Sequence, residues 1–98
     1  KLICAHLGGW TVWQKAAKEL AGQADVWVDT SSALYALKPD EAARIIHGYG
    51  VERTLFGVDF PMWSPAEELE RFMALPLTDA EREKILWTNH IDLLGGEI

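Results

Sequence analysis

The sequence predicts an α/β fold made of three consecutive parallel βα units. Three observations predict it. Short apolar runs alternate with amphipathic helical patterns three times along 98 residues, and strands alternating with helices form parallel sheets joined by crossovers. The runs lack apolar/polar alternation, the mark of strands buried on both faces. Their polar ends, His6, Asp29 and Asp59, lie 23 and 30 residues apart, the length of a βαβ unit.

The first run is Leu2 to Ala5. It ends at His6 and is broken by Gly8 and Gly9. Thr11 is expected to cap a helix whose apolar stripe, Trp13, Ala16, Ala17 and Leu20, recurs at i, i+3, i+4 and i+7. The second run is Val26 to Val28, ending at Asp29, and Thr30, Ser31 and Ser32 open a stretch with no regular pattern. Pro39 then marks the first turn of a second helix, and Asp40 and Glu41 suit its positive end. Its stripe is Ala42, Ile45, Ile46 and Tyr49, with Gly48 and Gly50 as stops. The third run is Thr54 to Phe56, followed by Gly57, Val58 and Asp59. Ser64-Pro65-Ala66-Glu67 reads as a capping box before a helix that buries Leu69, Phe72 and Met73. The acidic residues Glu67, Glu68 and Glu70 read as its solvated face. Thr78-Asp79-Ala80-Glu81 reads as a second capping box, and its helix carries Ile85 and Leu86 before the chain passes through Asn89 to Leu93, Leu94 and Gly95.

Composition narrows the function. The chain can build one domain at most. Nine bases against fifteen acids give a net charge of −6, which disfavours nucleic acid and anionic membranes as partners. No apolar stretch of about 18 residues is present to span a bilayer. The single cysteine, Cys4, has no internal disulfide partner, so a buried thiol in the reducing cytoplasm is expected. No Gly-rich phosphate loop and no paired-cysteine metal motif occurs. Lys1 leads straight into the first strand without an initiator Met, so the residues are expected to be part of a longer protein.

The chemistry is expected just past the carboxyl ends of the strands, where parallel α/β folds place their sites. His6, beside glycines, can reach a ligand, and an imidazole with a carboxylate suits acid/base work or a divalent transition metal. Asp29 reads as structural, bonding amides of its own turn. His47 and His90 read as surface residues. Trp10, Trp13 and Trp63, just beyond strands, can serve either a substrate or packing, whereas Trp27 and Trp87 read as packing. Three parallel strands suit a small open sheet or part of a (β/α)₈ barrel, which needs about 250 residues.

Three segments resemble the C-terminal part of the amidohydrolase-related family of metal-dependent TIM-barrel hydrolases and decarboxylases. They are Ala5-His6-Leu7-Gly8-Gly9, Val26-Trp27-Val28-Asp29-Thr30-Ser31 and Thr54-Leu55-Phe56-Gly57-Val58-Asp59-Phe60-Pro61. The ending Ile85-Leu86-Trp87-Thr88-Asn89 with Leu93-Leu94-Gly95 fits in order and spacing. The resemblance implies that residues 1–98 are a C-terminal fragment of such a barrel, strands six to eight. It implies that His6 acts beside the metal as an acid/base or electrostatic group, or as a ligand, and that Asp59 binds the metal or orients the attacking water. The implied cofactor is zinc, with manganese as the other choice. The implied parent is a metal-dependent hydrolase of a small organic acid, ester, lactone or amide. The alternatives are a non-oxidative decarboxylase of the same family, and a non-catalytic α/β module that self-associates through its sheet edges. Val58 stands where the family usually has Ser, and His90 where it usually has Ala. The family's His-x-His pair of strand one and histidine of strand five have no counterpart here, so the isolated chain is expected to be inactive.

Overall fold

In the computed structural model, which describes residues 2–23 and 25–95, three strands form one parallel sheet in the order β1 (Leu2–Cys4), β2 (Val26–Asp29), β3 (Thr54–Leu55). Leu2 stands opposite Val26, Cys4 opposite Val28, and Val28 opposite Thr54. This register brings the three carboxyl ends to one rim of the sheet. The segments leaving them therefore meet: the turn at His6, the turn at Asp29 to Ser32, and the loop through Asp59.

The helices are α1 (Trp13–Leu20), α2 (Pro39–Tyr49), α3 (Pro65–Met73), α4 (Asp79–Glu83) and α5 (Asn89–Leu93). A π turn, Lys84–Thr88, joins α4 to α5 and sets Ile85 in the core. The α2 stripe is buried as its period predicts. Ile46, Phe72 and Ile85 are fully enclosed, each worth about 1.5–3 kcal/mol relative to exposure. Asn89 ties the last helix to the entrance of β3, its Nδ2 donating to the carbonyls of Val51 and Thr54 at 2.7 Å each. The Phe56 N–H donates to the Ile85 carbonyl at 3.1 Å.

Several expectations are corrected. β1 is not buried on both faces: Leu2 is 55% and Ile3 50% exposed, because among the described residues it packs chiefly on β2, whereas the other edge strand, β3, is covered by the π turn and α5. Cys4 is half-buried rather than buried. Thr11 does not cap α1; it lies in the left-handed region at φ 67°, and no side chain caps that helix. Ser64 precedes Pro65 in the cap position without a side-chain bond. The box at Thr78 and Glu81 does form, with bonds of 2.8 and 3.1 Å. Helix α3 is rotated from its expected face: Glu68 and Phe72 point inward, Leu69 and Met73 outward. Burial of Glu68 is offset by Arg71, whose Nη1 lies 2.6 Å from its carboxylate. Trp87 is exposed rather than packed.

Tyr49 links the core to the rim. Its hydroxyl donates to the Leu7 carbonyl at 3.1 Å, beneath the turn that carries His6. Burial, with a smaller contribution from Cys4, pushes the phenol up to about 12 from 10.0. A raised pKa in the folded state means that the stability is complete below pH 10 and is lost as pH rises toward 12. Urea unfolding of the protein that carries this chain is thus expected to show stability falling above pH 10, and Y49F to flatten that alkaline limb. Identical slopes in both proteins would contradict the burial of the phenol.

Candidate functional site

Beyond β1 the chain turns sharply over His6–Gly8, with His6 at φ 57° and Leu7 at φ 51°. Backbone of this kind is costly for side-chain-bearing residues and gathers at functional sites. The turn is held from β2. Asp29 Oδ1 accepts the His6 N–H at 3.1 Å, the Ser31 N–H at 3.0 Å and the Ser31 hydroxyl at 2.5 Å. Asp29 therefore bonds its own turn, as read from the sequence, and also fixes the neighbouring strand's exit.

The same turn sets the His6 ring. Nδ1 lies 2.8 Å from the Ser31 carbonyl and 2.9 Å from Ser31 Oγ. A carbonyl only accepts, and the Ser31 proton is committed to Asp29. Nδ1 must therefore carry the proton, and Nε2 of the neutral ring holds the lone pair.

Asp59 is held in a parallel way. Its Oδ2 accepts from the Ser32 hydroxyl at 2.8 Å, and Ser32 Oγ accepts from the Trp63 indole N–H at 2.8 Å. Ser32 and Asp59 are also left-handed, at φ 50° and 65°. The exit of β3 packs closely onto the β2 turn. A Cβ at Gly57 would sit 3.3 Å from Asp29 Cγ and 3.4 Å from Ser31 Cβ, and the Gly57 N–H donates to Thr30 Oγ1 at 3.2 Å.

His6 and Asp59, from the exits of the first and third strands, line one cavity of about 250 Å³ together with Trp10, Ser32 and Met62. Asp29 is not in that lining and acts through the turn behind it. A larger groove of about 540 Å³ lies beside the start of α1, between Thr11–Lys15 and Ala36, Leu37 and Glu41. It does not bring an imidazole and a carboxylate together, and its Glu41 is already bonded by Gln14 at 3.1 Å. The aromatic residues beyond the strands divide their roles. Trp10 walls the cavity, and its indole donates to the Tyr35 hydroxyl at 2.9 Å. Tyr35 stacks on Trp63 at 4.7 Å and meets the edge of Trp13 at 6.5 Å. His47 is exposed and pairs with Glu81 at 2.8 Å.

Among the described residues, no group of three or more His, Cys, Asp or Glu side chains converges to hold a metal ion. The two that face the cavity fit part of a ligand set. An imidazole nitrogen with a carboxylate oxygen suits zinc or manganese, and ligating histidines usually give their other N–H to a backbone carbonyl or carboxylate, as His6 gives its Nδ1–H to Ser31. The sequence leaves Trp63 open between substrate and packing, and it does not assign Ser31 and Ser32 to the site. Their signal was adjacency to a strand end, which short polar residues share with ordinary turns. No described helix is long and apolar enough to cross a membrane.

Known proteins resemble this chain in sequence and fold. The decarboxylase orsB of Emericella nidulans is 31% identical over 91 residues, which cover 89% of this chain and 26% of that protein. A TIM-barrel protein from Bordetella bronchiseptica is 28% identical with a TM-score of 0.78, over 96% of this chain and 34% of that one. A dihydroxybenzoic acid decarboxylase from Polaromonas, solved with manganese and the inhibitor 2-nitroresorcinol, shares the fold at 20% identity and a TM-score of 0.72, over 97% of this chain and 33% of that one. This chain thus spans about a quarter of the curated relative and a third of these structures. The sequence model of the amidohydrolase family matches residues 1–96. The chain belongs to the amidohydrolase family.

Proposed function

We propose that these residues form strands six to eight of a TIM-barrel enzyme that removes carbon dioxide, without oxidation, from a small hydroxylated aromatic acid. The observation that carries the reading is the shared cavity, with an imidazole and a carboxylate at one rim and Trp10 and Met62 as apolar walls. The likeness to orsB supports decarboxylation.

Asp59, with donors outside these residues, would hold a divalent metal, zinc or manganese, which would supply positive charge to bind and polarise substrate oxygens, and His6 would stand beside it with Nε2 free. The chain's own part is to hold the ring and deliver a proton. Loss of carbon dioxide leaves the C–C electron pair on the ring carbon, and that carbon must gain one proton to become C–H. Protonated His6 can give it from Nε2 while Nδ1–H stays on Ser31. Trp10 and Met62 favour a flat apolar body. The lone thiol of Cys4 suits a reducing cytoplasm.

Hydrolysis of an ester, lactone or amide is the second reading. It is favoured by Asp59, whose Oδ2 is engaged with Ser32 while Oδ1 stays open to take a proton from water. The complete gene product containing these residues, loaded with manganese or zinc, decides between them on a panel of dihydroxybenzoates, lactones and amides. Carbon dioxide release from a hydroxybenzoate is expected. Turnover of a lactone or amide without it would move the assignment to hydrolysis, and no turnover of any would remove both. The 98-residue chain alone is expected to be inactive.

A further inference from the structure

We propose that Trp63 and Ser32 are positioning residues for Asp59, joined in a one-directional relay: indole N–H to serine oxygen, serine proton to carboxylate. The proposal rests on the reading of Asp59 as a functional carboxylate.

The donor order follows from chemistry. An indole nitrogen only donates. At 2.8 Å it occupies a lone pair of Ser32 Oγ, so the serine proton is left for Asp59 Oδ2, also at 2.8 Å. One carboxylate oxygen is thereby pinned, and the carboxylate plane can turn only about that bond. Ser32 is 3% exposed, so water does not compete for its hydroxyl. Its backbone sits at φ 50°, where glycine would be free of strain and a side-chain-bearing residue costs about 1–2 kcal/mol. The hydroxyl is what serine adds in return.

Trp63 is fixed independently of the carboxylate. Tyr35 stacks on one side at 4.7 Å. The Arg71 guanidinium lies 5.5 Å from the ring centroid and is itself anchored by buried Glu68 at 2.6 Å. The position of Asp59, in a loop exposed to solvent, is thus referred back to a stacked aromatic pair and to an ion pair on α3 whose carboxylate is buried. This accounts for the inward turn of Glu68, which the acidic run in the sequence does not suggest.

The test uses the complete protein labelled with ¹⁵N-tryptophan, the Trp63 indole resonance being assigned by its loss in W63F. We expect that resonance to move in S32A and also in D59N, two hydrogen bonds away. A resonance unmoved in either variant overturns the relay. In turnover, S32A and W63F are each expected to lower kcat about tenfold or more with a smaller effect on KM, since misplacement of about 1 Å can cost about 100-fold. The S32A/W63F double variant is expected to fall no further than S32A. Losses that multiply in the double variant, or an unchanged kcat in S32A, overturn the positioning role. Should the wild-type protein turn over none of the panel, the functional reading fails by itself, and Mn²⁺ affinity then decides the relay. Equal weakening in S32A and W63F supports it, and unchanged affinity sinks it.

Discussion

Replacing His6 with Asn is expected to lower kcat of the enzyme that carries this chain by about 10²–10⁴-fold while leaving its fold in place. The choice of Asn follows from the geometry. The ring anchors itself by donating Nδ1–H to the Ser31 carbonyl at 2.8 Å, and an Asn amide can make the same donation. The backbone N–H that reaches Asp29 Oδ1 is untouched. Asn is also among the few residues that tolerate the left-handed φ of 57° at this position. What Asn lacks is an atom equivalent to Nε2, the nitrogen left to face the cavity. A variant with unchanged thermal unfolding and lost turnover is therefore the expected result. A kcat within threefold of wild type would show that Nε2 neither moves a proton nor holds a ligand, and both catalytic readings would fall.

The strand ends were legible because parallel sheets put their carboxyl ends at one rim whatever the loops do. From the order of elements, the meeting of His6, Asp29 and Asp59 at one rim could be anticipated, and the structure places His6 and Asp59 on one cavity. Asp29 was separable from them because an Asp followed two residues later by an amide can close its own turn. The serines that orient the two groups were not legible. Ser31 and Ser32 are adjacent, yet one serves the exit of β1 and the other the exit of β3. That division depends on the left-handed backbone at Ser32, and no periodicity encodes it. Glu68 failed for another reason. A carboxylate in an acidic run reads as solvated until its partner is known, and Arg71 three residues on becomes its partner only once Trp63 gives the guanidinium a face to cover. The exposure of Leu2 and Ile3 is not legible because an apolar run reports affinity for burial, while what packs over the strand decides whether burial occurs: β3 also has one strand neighbour, yet Thr54 and Leu55 are buried.

Substituting Gly8 with Ala is expected to be the most damaging small change in the chain for stability. Gly8 lies at φ 94°, and a Cβ built on it would clash with the Tyr49 hydroxyl and stand 3.2 Å from Ala16 Cβ and 3.3 Å from Leu20 Cδ1. Left-handed strain costs about 1–2 kcal/mol, and overpacking a filled site costs about 1–3 kcal/mol. The two together give about 2–5 kcal/mol, which is a large part of the stability of an ordinary domain. The Tyr49 hydroxyl cannot simply swing aside, because it belongs to a rigid ring and donates to the Leu7 carbonyl at 3.1 Å. Relief by moving the turn instead would shift His6, two residues away, off the Ser31 carbonyl. Activity is therefore expected to fall along with stability, by a route distinct from that of H6N. The double variant G8A/Y49F separates the two costs. Removing the hydroxyl removes the nearest clash but not the strain in φ, so urea unfolding is expected to recover part of the loss and not all of it. Full recovery would assign the whole penalty to the hydroxyl. No recovery would mean that the turn, not the tyrosine, yields to the added methyl, and that Tyr49 does not buttress the rim.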